Sequence, residues 1–251
     1  MPSSGTPRPF YERTLPYRAM RFLFRPSWIQ LRDFVLQRRY RRNAFDKTLD
    51  WGWGETHFNR IALVNLLVSR KQHCSYLEIG CATNDLFNSV ATPDKTGVDP
   101  ERGGTIKKTS DDFFLSNDRS FDVIFIDGLH TYEQVHKDVV NSMMVLKPGG
   151  WIAIHDMLPS AWIEHHLPLL THGAWTGDVW KVAFELARTE GIDFKILKID
   201  FGVGVFRLTR ENPELVDMPA ELKDQEFAYF YENVSKLPVV EWDDAQEWLR
   251  S

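Results

Sequence analysis

Tyr76-Leu77-Glu78-Ile79-Gly80-Cys81-Ala82-Thr83-Asn84-Asp85-Leu86-Phe87 is the stretch whose reading decides the fold. A short apolar strand ends near an acid, a glycine follows two residues later, and a small polar loop opens into a helix. Glycine lets the backbone approach a ligand where a Cβ would clash. In an open α/β sheet, ligands sit beyond the carboxyl ends of the strands, where this loop falls. A phosphate cradle wants exposed N–H groups and positive charge. A carboxylate at the strand tip repels phosphate and suits an amino group or another cationic centre. The loop therefore reads as a site for a nucleoside joined to an amino acid.

Working outward, Lys95–Asp99 is a second short strand that also ends in an acid. About twenty residues separate Gly80 from Asp99, the βαβ spacing at which an acid reaches the two hydroxyls of a ribose. Between them, Asp85–Val90 reads as a helix. Thr109–Phe114 places Ser110, Asp111 and Asp112 at the expected tip of a third strand, near the base of a bound nucleoside. Phe121–Asp127 is nearly all apolar, as a strand covered on both faces should be, and runs into Gly128-Leu129-His130. Tyr132–Leu146 reads as a helix and Lys147-Pro148-Gly149-Gly150 as a turn in which glycine permits positive φ. Trp151–Ile154 is the next strand and ends in His155-Asp156. Carboxylates at Glu78, Asp99, Asp127 and Asp156 thus gather at four strand ends. The first loop lacks G-x-G-x-x-G, which disfavours a nicotinamide dehydrogenase.

Farther out, Trp28–Arg42 has amphipathic helical spacing and ends in Arg38-Arg39-Tyr40-Arg41-Arg42. Two readings stand: attachment to an anionic membrane surface, or a packing helix whose arginines are solvated or pair with the acidic tail. Met1–Pro9 reads as flexible. Trp51-Gly52-Trp53-Gly54 is a turn whose tryptophans either wall a ligand or pack on the core, and Thr56–Arg70 is helical. After the irregular stretch Ser160–Trp180, Val179–Thr189 is a helix. Phe194–Ile199 and Gly202–Leu208 are strands whose polar interruptions place them near an edge. Phe227, Tyr229, Phe230 and Tyr231 pack the acidic tail onto the rest.

The chain of 251 residues is 43% hydrophobic and 26% charged, enough for an ordinary core. Its formal net charge of −5 argues against nucleic acid as a partner. The charge is uneven: nine arginines against Glu12 and Asp33 from Tyr11 to Arg42, and eleven acids against three bases from Glu211 onward. Cys74 and Cys81 are too few and too badly placed for a disulfide framework, which points to a reducing, cytoplasmic setting. No apolar run reaches membrane-spanning length, and no signal peptide is evident. The expected organisation is a basic helical extension over 1–50, a central domain over 51–210 and an acidic extension packed on it over 211–251.

The order Glu78-x-Gly80, Asp99, Ser110-Asp111, Asp127 and Pro148-Gly149-Gly150 resembles the class I S-adenosylmethionine-dependent methyltransferases over roughly Thr56–Leu208. The Ile126–Tyr132 block and the later His155-Asp156-Met157 are similar to O-methyltransferases of sugars and hydroxylated natural products, of macrolide-sugar and cephalosporin type. The resemblance implies a Rossmann-like, doubly wound, mostly parallel seven-stranded sheet with helices on both faces. It implies that Glu78, Gly80, Cys81 and Ala82 line the methionine part of S-adenosylmethionine, that Asp99 binds its ribose, and that Ser110 and Asp111 approach the adenine. Asp127 and Asp156 match two carboxylates that hold a divalent metal in the sugar-modifying relatives, where a further acid precedes the second. Here His155 takes that place, which leaves Mg²⁺, Mn²⁺ or no metal open.

A hydroxyl acceptor must lose a proton, so the chemistry needs a base or a metal that lowers its pKa. His130, three residues after Asp127, matches the relatives' base, and its ordinary pKa suits that work. His155 is the backup base or a metal ligand. Asp178, Trp180 and Lys181 suit contact with a sugar, although a helix cap explains Asp178 equally well. The expected activity is O-methylation of a saccharide or glycosylated metabolite. The alternatives are a catechol or carboxylate acceptor, or a non-catalytic module that binds cofactor or partner. A homo-oligomer and peripheral contact with the inner membrane face stay open.

Overall fold

The computed structural model describes residues 25–250. The expectation for Met1–Pro9 lies outside these residues. Helix α1 (Arg25–Arg39) leads through two 3₁₀ turns, Arg41–Asn43 and Trp53–Glu55, to α2 (Arg60–Ser69), whose first N–H groups are capped by Asn59. Then follow β1 (Tyr76–Ile79), α3 (Asp85–Ser89), β2 (Lys95–Val98), α4 (Ser110–Ser116), β3 (Phe121–Ile126), α5 (Tyr132–Met144) and β4 (Leu146–Ile154). The last third holds α6 (Trp162–His165), α7 (Trp180–Arg188), β5 (Ile192–Leu197), β6 (Val203–Leu208), α8 (Pro219–Leu222), α9 (Phe227–Asn233), β7 (Val239–Val240) and α10 (Trp242–Arg250).

The strands form one seven-stranded sheet in the order β2-β1-β3-β4-β6-β5-β7. Only β6 runs antiparallel to its neighbours. Alternation along β3 shows why both faces must be covered. Ile124 and Ile126 enter one apolar cluster with α5 and α7, while Val123 and Phe125 enter the other with α2 and α10. This is the doubly wound, mostly parallel seven-stranded sheet that the resemblance implied.

Four expectations need correction. No third strand precedes β3: the segment touches β2 through a single bridge, Val98 to Ile106, and Ser110 and Asp111 start α4 under a Thr109 cap. The run 100–109 contains one residue apolar enough to bury, Ile106, so a full strand there has nothing to hold it. The seventh strand comes instead from the acidic tail, as β7. The Lys147–Gly150 segment is not a free turn but a bulge inside β4, whose pairing with β3 jumps from Leu146 to Trp151. The expected positive φ falls on Gly149, at +74°. Finally, β6 is interior, and only β5 lies near the edge that β7 covers.

The acidic tail does pack on the domain, with Phe227 and Phe230 fully buried. Among the described residues, Arg32, Arg38, Arg39, Arg41 and Arg42 pair with no acid of that tail. Its polar link here is Asn43 Nδ2 donating to Glu226 Oε1 at 2.9 Å. Both cysteines are free. Among the described residues no helix is long and apolar enough to cross a membrane.

Candidate active site

The carboxyl ends of β1, β2, β3 and β4 open into a cleft of about 700 Å³. Glu78, Gly80, Cys81, Ala82, Asp99, Ser110, Asp111, Asp127, His130, His155 and Asp156 all line it. Twelve consecutive residues at β1 and three later strand tips thus converge because parallel strands point their ends the same way.

Gly80 sits at φ +86°, and its N–H donates to Val98 O at 2.9 Å. A Cβ there would lie 2.0 Å from Asp127 O, so only glycine lets the first loop pass the tip of β3. Glu78 is buried and accepts a 2.6 Å hydrogen bond from Tyr76 Oη. Burial is the main reason its carboxyl is pushed up to about 7. A cationic group bound beside it would draw that value down again. Asp99 accepts from the backbone N–H groups of Ala82 (2.9 Å), Glu101 (2.8 Å) and Arg102 (2.7 Å). Burial opposes its ionisation, but these donors win and hold its pKa below the usual carboxylate range. The acid therefore ties the loops after β1 and β2 together while facing the cleft. On the far side, Gln134 Nε2 donates to Asp111 Oδ1 at 2.9 Å and to Ser110 Oγ at 3.2 Å.

The other end of the cleft is a cluster of charge. His130 Nε2 lies 3.2 Å from Asp127 Oδ1, and its Nδ1 lies 3.1 Å from Asp156 Oδ2. His155 Nδ1 lies 3.3 Å from Asp127 Oδ1 and 3.2 Å from Asp156 Oδ1. Burial disfavours charge on both rings, yet the two carboxylates outweigh it and raise both imidazole pKa values. Burial likewise pushes Asp127 up, and His155 and His130 reverse this, leaving it well below the usual range. The two carboxylates thus favour a proton on each ring. Asp156 holds its place at φ +65°, a left-handed conformation that costs a non-glycine residue about 1–3 kcal/mol and is concentrated at functional sites.

His130 Nδ1 and His155 Nδ1 are buried and close to carboxylate oxygens, yet neither is aligned to make a hydrogen bond. Buried polar atoms normally find a partner. Asp127, His130 and Asp156 each offer a ligand atom, all within 4.8 Å of one another. Two carboxylates and one imidazole are a donor set that fits Mg²⁺ or Mn²⁺.

Sequence reasoning missed three residues here. Arg60, at the start of α2, donates from Nη1 to Asp200 Oδ2 at 2.8 Å and lies 3.3 Å from His155 Nε2. Asp200 also lies 3.6 Å from His155 Nε2. Between these groups and the two carboxylates, His155 is left only 7% exposed. Trp175 stacks on His130, with ring centroids 5.1 Å apart and planes 15° from parallel. It had a signal, a tryptophan in the irregular run before α7, but its neighbours drew the attention instead. Those neighbours turn away. Asp178 accepts from Tyr132 N at 2.6 Å and so caps α5, not α7. Lys181 donates to Asp178 and to Lys223 O, and Trp180 is fully buried against Phe184 and Phe230. Trp51 and Trp53 do not line the cleft; their indole N–H groups donate to Pro159 O and Ser160 Oγ in the loop after β4.

Sheet order and strand-tip cleft define a Rossmann-like, doubly wound α/β fold. Residues 70–157, which run from the end of α2 to just past Asp156, match the family model described as a methyltransferase domain. No curated protein matches the chain in sequence. Among solved structures it is similar to the sugar N-methyltransferase KedS8 of Streptoalloteichus sp. ATCC 53650, at 19% identity over 41% of this chain and 49% of that one, with a TM-score of 0.33. It is similar to MycE of the mycinamycin biosynthetic pathway, solved with Mg, SAH and mycinamycin VI, at 16% identity over 58% and 47%, TM-score 0.39. It is also similar to the SAH-bound methyltransferase PaMTH1 of Podospora anserina, at 16% identity over 82% and 100%, TM-score 0.47. The chain spans about half the length of the first and second of these. Likenesses this distant carry no argument about the acceptor.

Proposed function

We propose that the protein is an O-methyltransferase that moves a methyl group from S-adenosylmethionine to a hydroxyl of a saccharide or glycosylated metabolite. The observation that carries this reading is the position of His130. It stands between Asp127 and Asp156 at the end of the cofactor cleft, with the Trp175 indole stacked on it. An aromatic wall beside carboxylates suits a sugar, whose C–H face packs on a ring while its hydroxyls seek polar partners.

S-adenosylmethionine supplies an activated methyl group on a cationic sulfur. Glu78 offers the negative charge that accepts such a cation, and Asp99 fixes the nucleoside by its ribose hydroxyls. Ser110 and Asp111 sit at the adenine end. His130, in its neutral form, takes the acceptor's hydroxyl proton as the oxygen attacks; Asp127 holds the ring through Nε2 and stabilises the imidazolium that results. Asp127 and Asp156 would hold a divalent cation, which supplies a charge that lowers the hydroxyl's pKa.

A second reading is favoured by the ligand geometry: His130 is itself the third ligand of the cation rather than the base. Titration calorimetry separates the two, with S-adenosylhomocysteine and then Mg²⁺ or Mn²⁺ added to wild type and to His130→Ala. As base, His130→Ala keeps both affinities near wild type and slows turnover of a saccharide acceptor by about 10²–10⁴-fold. As ligand, it loses metal affinity as well. Absence of S-adenosylhomocysteine binding to the wild type, with or without metal, would remove the methyltransferase reading and leave a partner-binding role.

A further inference from the structure

We propose that α1 and the turn after it form a docking surface for an anionic lipid membrane. One side of α1 is fastened to the loop after α6. Asp33 accepts from His172 N at 3.0 Å and meets its ring at 2.9 Å, Arg32 donates to Leu169 O, and Tyr40 packs edge-on against His166 at 4.8 Å. That fastening leaves the opposite side outward. Trp28 is 38% exposed, Leu31 51%, Phe34 60% and Val35 54%. At helical spacing these four fall on one stripe about 120° wide. Large apolar residues exposed singly are ordinary, but four on one stripe mark an interaction surface.

The charge beside the stripe selects the partner. Arg38, Arg39, Arg41 and Arg42 are all exposed. Arg39 lies over the Tyr40 ring, and among the described residues Arg38, Arg41 and Arg42 meet no acid. The one acid of the helix, Asp33, is occupied by His172. A protein partner with an acidic rim would satisfy the arginines alone. An apolar stripe continued by four cations matches a surface with acyl chains below and phosphate above. A second copy of the chain fits worse, because an isologous contact would bring two such arginine runs together. The loop that fastens α1 also carries Trp175, so this surface and the acceptor end of the cleft share one segment of chain, His166–Trp175.

Vesicle co-sedimentation of the full chain tests this. Phosphatidylcholine vesicles with about 30% phosphatidylglycerol should pull the protein down, and pure phosphatidylcholine should not. Arg38→Gln/Arg41→Gln/Arg42→Gln should weaken the partition about a hundredfold, and about 0.5 M salt should do much the same. Leu31→Asp/Phe34→Asp should weaken it at least about tenfold. Both variants should keep wild-type affinity for S-adenosylhomocysteine, which shows that they fold. Equal binding to neutral vesicles, binding that both variants retain, or no binding overturns the proposal. A dimer in light scattering that Leu31→Asp/Phe34→Asp splits would reassign the stripe to a second copy.

Discussion

Replacing Gly80 by alanine isolates what the close passage of β1 past β3 is worth. Two terms add. The backbone at φ +86° is left-handed, which costs an L-residue about 1–2 kcal/mol. The new Cβ would also meet Asp127 O at 2.0 Å, Asp127 C at 2.5 Å and Gly128 Cα at 2.7 Å, all backbone atoms that cannot rotate away. Overpacking of this kind costs about 1–3 kcal/mol, and contact with backbone belongs at the upper end. The sum is about 3–5 kcal/mol. At about 2–4 °C per kcal/mol for a chain of this size, the melting temperature should fall by about 6–20 °C. Gly149→Ala is the control: its φ of +74° is as unfavourable, but nothing lies within 4 Å of its Cβ. It should fall by about 2–8 °C. Relief of the clash must move the tip of β3, so Gly80→Ala should also weaken S-adenosylhomocysteine binding, whereas Gly149→Ala should not. Scanning calorimetry with and without S-adenosylhomocysteine reads both effects. Equal melting temperatures and equal affinities for the two variants would refute the packing argument and leave only backbone strain.

Two predictions concern stability away from the cleft. Asp122 is 6% exposed and accepts from Lys71, Lys147 and Ser75; burial alone would raise its pKa, but these donors hold it far below the usual range. Its folded pKa is depressed, so its contribution is complete above the unfolded value near 4 and lost as pH falls below it. Asp122→Asn should cost about 2 kcal/mol at pH 7, discounted for the exposed lysines, and the gap in urea denaturation should shrink steadily as pH falls below about 4, closing only at the depressed folded pKa. A gap that persists undiminished at low pH would contradict this. Phe230→Ala removes a fully buried ring and should cost about 3–5 kcal/mol by the same measurement; a loss under about 1 kcal/mol would show that the tail is not part of the core.

The strand-tip acids were legible in the sequence because each lies next to the apolar strand that positions it. Glu78, Asp99, Asp127 and Asp156 need only the rule that parallel strands end together. Ser110 and Asp111 line the cleft from a helix, not from the strand expected, because one apolar residue, Ile106, is too little to tell a bridge from a strand. Arg60 and Asp200 were not legible, and Trp175 carried only the signal of a tryptophan in an irregular run. Arg60 and Asp200 acquire meaning only from each other, at 140 residues' separation, and from His155. Asp178 was misread for the same reason: its partner is the N–H of Tyr132, 46 residues earlier, and no local pattern points there.

The two-residue β7 has a consequence for how the chain matures. It pairs with β5 through Ile196 N donating to Pro238 O and Lys198 N to Val240 O, and α10 behind it buries Ala245 and Leu249. These residues follow β5 in the chain and so leave the ribosome after it. Until they emerge, β5 presents an unpaired strand edge, the feature that recruits other chains into aggregates. Synthesis at about 5–20 residues per second sets how long that edge stays open. A nascent chain stalled near residue 235 is therefore the species most in need of a chaperone, though its strand-tip cleft is by then fully translated.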